Sequence, residues 1–93
     1  MDKVVVTRHP ALVEYLRHVG EVAGDVAVIS HVTADQIKGK HVYGVLPLHL
    51  AAEAAQVTEI PLAIPAELRG KELSFEQMVQ YAQPARTYIV KTV

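Results

Sequence analysis

Apolar positions along the chain come in two forms, short β-branched runs and longer stripes with a helical period, and their alternation predicts an order of elements. Lys3-Val4-Val5-Val6-Thr7 is a continuous run, the pattern of a strand covered on both faces and therefore central. Pro10 suits the first position of a helix, where its missing N–H costs nothing. Leu12, Leu16 and Val19 then form an apolar stripe opposite Glu14, Arg17, His18 and Glu21, and Gly20 supplies a stop. Asp25 to Ser30 predicts a second buried strand, and Thr33 with Gln36 three residues later has the form of a capping box. After a turn at Lys38-Gly39-Lys40, Val42 to Leu46 predicts a third strand; its Gly44 marks either close approach by another backbone or a ligand, or merely weak packing. Leu48 to Gln56 is alanine-rich and predicts a helix. Thr58 to Ile64 predicts a fourth strand, at an edge or bulged because Pro61 cannot donate to a ladder. Ser74 with Gln77 opens a further helix ending near Gln83-Pro84, and Arg86 to Val93 predicts a terminal strand.

Strands alternating with helices at short intervals imply right-handed crossovers and a largely parallel sheet wrapped by helices. The expected fold is α/β: one small Rossmann-like, three-layer domain over residues 1–93. In such sheets ligands bind outside the carboxyl ends of the strands. Thr7-Arg8-His9, Ser30-His31, Pro47-Leu48-His49 and Glu67-Leu68-Arg69 are expected at that edge, whereas Lys38 to His41 precede their strand and belong to the opposite one.

Composition narrows the classes. Hydrophobic residues make up 51% of the chain and charged residues 20%, enough apolar content to fold, yet no apolar stretch reaches the ~18 residues that span a bilayer. The start, Met1-Asp2-Lys3-Val4, has none of the features of an export signal, so a cytoplasmic location without membrane partners is expected. The absence of cysteine excludes disulfides and thiolate zinc sites. A formal charge of −1 argues against gripping long nucleic acid and leaves room for a small anion in a local basic pocket.

The two segments Thr7-Arg8-His9-Pro10 and Leu46-Pro47-Leu48-His49 each end an apolar run and open a helical one. Unpaired N–H groups and aligned peptide dipoles leave roughly half a positive charge at a helix N-terminus, so both segments suit a phosphate. Arg8 offers a permanently charged planar fork, and His9 and His49 can move protons. The bland alternative is a surface ion pair for Arg8 and a plain cap for His9. Thr7 and Ser30 are small hydroxyls able to hold phosphate oxygens, though neither sits in a nucleophile's context. His31 is a candidate contact or simply a loop residue, and Arg69 with Lys71 would close over an anion or remain solvated. His18 lies on a polar helix face, and His41 is at the wrong edge. No histidine pair has zinc-helix spacing, no acidic cluster resembles a magnesium site, and both the phosphate loop and the three-glycine dinucleotide fingerprint are missing. Metal-free chemistry without a cofactor is the simplest reading.

Three motifs carry a family resemblance: Val4-Val5-Val6-Thr7-Arg8-His9-Pro10, Gly44-Val45-Leu46-Pro47-Leu48-His49-Leu50-Ala51-Ala52-Glu53, and Pro65-Ala66-Glu67-Leu68-Arg69-Gly70-Lys71-Glu72-Leu73-Ser74. In this order they resemble the Csx-sixteen family of small type III CRISPR-associated proteins. The resemblance implies a Rossmann-like fold related to CRISPR sensor domains, a homodimer, and ring-nuclease activity on the cyclic tetra-adenylate second messenger. It implies Arg8, His9 and His49 as catalytic residues and Arg69 in contact with substrate, and the strand-end placement adds Thr7, Ser30, His31 and Pro47 as substrate contacts. Residues Gly20 to Lys40 and the last ten match least.

Two other readings compete. The same pocket could sequester a cyclic oligoadenylate without cleaving it. Alternatively, Arg8-His9 after an apolar strand looks like the start of a histidine phosphatase, although that family has glycine where Pro10 stands and needs a larger domain with further histidine and arginine partners.

Overall fold

A computed structural model describes residues 1–93. The elements run β1 (Lys3–Val6), α1 (Pro10–His18), β2 (Ala27–Ile29), α2 (Ala34–Ile37), β3 (His41–Gly44), α3 (Leu48–Ala51), β4 (Gln56–Glu59), α4 (Phe75–Tyr81) and β5 (Arg86–Tyr88), with a short 3-10 turn at Ala66–Leu68. The strands form one sheet in the order β2-β1-β3-β4-β5, parallel except for β5, which runs against β4. The register aligns Val4 with Ala27 and Val42, and His41 with Gln56.

Alternation along the strands sorts side chains into two layers. Val4, Val6, Val42 and Val57 face one way, packed with Ile37 of α2 and Ala51 of α3. Val5 and Tyr43 face the other way, packed with Val13 and Leu16 of α1, and α4 adds Met78 against Ala11. The result is the expected small Rossmann-like α/β fold, a mostly parallel sheet with helices on both faces. β1 is interior, though next to the edge strand β2 and with β3 in the middle position, and Val4 and Val5 are almost fully buried. Burial of each such side chain contributes about 1.5–3 kcal/mol before entropy is subtracted. No helix is long and apolar enough to cross a membrane.

Several boundaries differ from expectation for identifiable reasons. α1 buries Ala11, Val13 and Leu16, while Val19 is its exposed C-cap; Gly20 follows with φ +78°, as a helix stop requires. β2 is shorter than expected and lies at the edge, with Ala27 and Val28 exposed, and so lacks the cover that β1 and β3 have on both faces. α3 ends at Ala51 because Gln56 is drawn into β4 opposite His41: tertiary pairing overrides the helix propensity of the alanines. β4 stops at Glu59, before Pro61, and is an interior strand between β3 and β5. Beyond it, the Pro61 carbonyl accepts from Gln83 N–H (2.7 Å), and Leu62 makes an isolated bridge with Ala82. Because β4 is short, β5 pairs only over Arg86–Tyr88. The capping residues perform as read: Thr33 N–H and Ser74 N–H donate to the side-chain oxygens of Gln36 (2.8 Å) and Gln77 (3.0 Å).

Candidate active site at the carboxyl ends of the strands

From β1 the chain moves to β2 on one side, and the later strands β3 and β4 lie on the other, so the strand order reverses between β1 and β3. In a doubly wound sheet such a switch point opens a crevice at the carboxyl ends, because the flanking connections depart to opposite faces. Here α1 leaves β1 for one face and α3 leaves β3 for the other. A cleft of about 690 Å³ lies at that point.

One rim is the loop after β1. Thr7 N–H donates to the Ile29 carbonyl (3.0 Å), extending the ladder by a residue, and Thr7 Oγ1 accepts from His9 N–H (3.1 Å). That contact tightens the loop and leaves His9 as the extended N-cap of α1, its side chain making no capping bond. Arg8 and His9 therefore stand exposed at the helix N-terminus, where the dipole adds to the guanidinium charge. The loop after β2 supplies Ser30 and His31. Arg8 Nη2 lies 3.5 Å from His31 Nδ1. A guanidinium can only donate, so Nδ1 accepts and the proton of the neutral ring is on Nε2. The contact is long, and an arriving anion would outcompete it for the guanidinium.

The floor is apolar. Val6, Leu12, Leu46, Ile60, Leu62 and Met78 contribute to it, and Gly44 brings the β3 backbone against β1. A cleft with an apolar floor and a cationic, hydroxyl-bearing rim suits a ligand with a flat apolar group attached to an anion.

Of the residues singled out in the sequence, Thr7, Arg8, His9, Ser30, His31 and Pro47 line this cleft together. His49 and Arg69 do not. His49 is exposed on α3, two residues before the buried Ala51, which places it about 200° around the helix from the packed side. Arg69 follows the 3-10 turn, where Leu68 packs towards Ala11 and Met78, and is left exposed away from the cleft. Sequence reasoning missed Thr33, read only as a helix cap, and the floor residues Ile60, Leu62 and Met78. Ile60 and Leu62 lie past the end of β4 at Glu59, but the fourth strand expected over Thr58 to Ile64 enclosed them, so the strand-end rule passed over them and selected Arg69.

His41, at the opposite edge as expected, belongs to a structural network. Gln56 Nε2 donates to His41 Nδ1 (3.2 Å), so His41 Nε2–H donates to Thr58 Oγ1 (2.6 Å), which in turn contacts Thr87 Oγ1 (2.7 Å) and ties β5 to the sheet. Burial first, and then the charge of Lys3, hold the His41 pKa below its ordinary value, against an opposing pull from Glu21. Neighbouring Tyr43 stacks on His41 and donates to Glu21 Oε2 (3.1 Å); burial, that bond and the Glu21 charge push the phenol up to about 12. His18 is exposed and meets Phe75 of α4 edge-on, with ring centroids 5.3 Å apart.

No curated protein and no solved structure matches the chain. Residues 4–91, nearly the whole length, match the family described as "Putative CRISPR-associated protein (Cas_VVA1548)". The match takes in all of the fold but Lys3 at the start of β1, including every residue that lines the cleft, and the chain belongs to this CRISPR-associated family.

Proposed function

We propose that the protein is a ring nuclease that degrades cyclic tetra-adenylate, the second messenger of type III CRISPR defence. One observation carries the reading: Thr7, Arg8, His9, Ser30 and His31 converge over an apolar cleft at the switch point of a chain whose family is CRISPR-associated. A purine on the apolar floor would place its phosphodiester against the Arg8-His9 rim.

The chemistry follows from the substrate. A ribose 2′-oxygen attacks the adjacent phosphorus in line, the P–O2′ bond forms and the P–O5′ bond breaks, leaving a 2′,3′-cyclic phosphate and a free 5′-hydroxyl. The nucleophile is internal, so no water is consumed. His9 takes the 2′-proton, and His31, as the imidazolium it can become once the phosphate has drawn the Arg8 guanidinium off Nδ1, supplies one from Nε2 to the departing 5′-oxygen and returns to the neutral ring; such transfers contribute on the order of 10²–10⁴-fold. Arg8 and the N–H groups of α1 stabilise charge on the phosphoryl oxygens, and seating the ribose in line supplies further acceleration. Cleavage at opposite linkages yields two linear di-adenylates.

Four equivalent linkages in a ring match a two-fold dimer, in which one self-complementary patch acts twice. Val45 and Leu48, 74% and 75% exposed on either side of Pro47, form an apolar rim on which a second copy would seat, with His49 adjacent. Incubation with excess cyclic tetra-adenylate in chelator, followed by chromatography, tests the proposal. Linear di-adenylate ending in a cyclic phosphate is expected. Unchanged ring with tight binding would assign a sequestering module instead, and neither binding nor turnover would refute both.

A further inference from the structure

A second hollow, about 330 Å³, lies on the other side of the Arg8-His9 ridge from the main cleft. It exists because β2 is an edge strand that α1 does not close over. The register places Val28 beside Val5, on the sheet face that α1 covers, yet Val28 remains 46% exposed. Opposite it, Pro10, Val13 and Arg17 form one stripe of α1 at i, i+3 and i+7. The floor is thus apolar, Val13 against Val28. Two guanidinium groups, Arg8 at one end and Arg17 on the helix wall, supply permanent positive charge, and no carboxylate is among the lining residues. The main cleft contains only one arginine, and it is the same Arg8.

Arg8 and His9 line both depressions, so a phosphodiester on the ridge has a receptacle on each side. We propose that the hollow takes the nucleoside across the scissile linkage from the one in the main cleft, with its outward phosphate paired to Arg17. The inference rests on the ring-nuclease reading and deepens it, since it makes the recognised unit of each subunit two consecutive nucleotides. The base lies against Val13 and Val28. The planar Arg17 fork donates to two phosphate oxygens at once, a geometry that a lysine ammonium matches only in charge. A ligand with a single phosphodiester would not use Arg17, so the hollow favours continuous oligoadenylates over isolated dinucleotides.

Binding of a 2′-O-methylated cyclic tetra-adenylate, which lacks the attacking hydroxyl, separates recognition from turnover. Arg17→Gln is expected to weaken binding about tenfold and to reduce the salt slope by about 0.7, the loss of one single-strand phosphate contact. Arg17→Lys should restore the salt slope, which counts charge, but only part of the affinity, because the two-point contact is lost. Val28→Glu should weaken binding at least as much, while Val79→Glu, at a comparably exposed site on α4 outside both depressions, should not. Circular dichroism verifies that each variant folds. If Arg17→Gln and Val28→Glu bind like wild type while Arg8→Ala loses binding, the hollow has no part in recognition and the ring-nuclease reading stands. If wild type binds neither this analogue nor the native ring, that reading fails and the inference fails with it.

Discussion

Gly44→Ala tests the close strand contact on which the cleft is built. Gly44 sits at φ +138°, where L side chains are strained, and pairs with Val6 at the last rung before β1 and β3 diverge. An added Cβ would lie 2.2 Å from the Val6 carbonyl oxygen and 3.2 Å from its carbonyl carbon. Both are main-chain atoms of β1, held between β2 and β3, so no flexible side chain can swing aside. Backbone strain costs about 1–3 kcal/mol and forced overpacking a similar amount, while alanine's less disordered unfolded state returns about 0.4–1 kcal/mol. The net loss is on the order of 2–4 kcal/mol, a large part of the 5–15 kcal/mol typical of a folded domain.

Urea denaturation followed by circular dichroism reads this directly. With an m-value of about 1–2 kcal/mol/M for a small domain, the Gly44→Ala midpoint should fall by roughly 2 M. Gly24→Ala is the control: its Cβ would meet nothing within 4 Å and its φ is not in the left-handed range, so its midpoint should stay level or rise slightly. Equal midpoints for the two variants would refute the argument, because they would mean that β1 moves away from β3 at no cost.

The remaining expectations concern the site, the network and the rim. Arg8→Ala should lower the rate of cyclic tetra-adenylate cleavage by about 100-fold or more, while His18→Ala, remote from the cleft, leaves it intact; comparable rates would count against the site. Because the folded pKa of His41 is held below its unfolded value of 6.5, the native state binds fewer protons there than the unfolded chain. The stability His41 contributes is present above that unfolded value and is lost as the pH falls through the folded one, so urea midpoints measured from about pH 7.5 to 5 should decline, and His41→Gln should flatten the decline. An unchanged slope in that variant would place the acid sensitivity elsewhere. Leu48→Asp, on the exposed rim, should convert a dimer to a monomer by light scattering without disturbing the fold.

The elements were legible where local chemistry and tertiary demand agree. The unbroken Val4-Val5-Val6 run could serve only as a covered strand, and Ser74 with Gln77 specified a helix start whatever lay around it. They were illegible where the sheet decided. Nothing local distinguishes the alanines after Leu48 that remain helical from those that turn, because the cut is set by Gln56 reaching His41 on the neighbouring strand. The run Ala27-Val28-Ile29 is as apolar as β1, and only the strand order reveals that it lies at an edge.

The site was legible to the same extent and for a related reason. Residues directly after a parallel strand must emerge at the carboxyl edge, so Arg8, His9, Ser30 and His31 could be placed together without knowing the strand order. One turn of helix further on, direction depends on which face the helix covers. α3 buries Ala51 against the sheet and thereby turns His49 outward, whereas α1, by burying Val13 beside the uncovered edge strand, aims Arg17 at the groove next to Arg8. The same rule that removes His49 from the cleft of its own chain thus puts beside Arg8 an arginine that the sequence pattern places only on the polar face of α1.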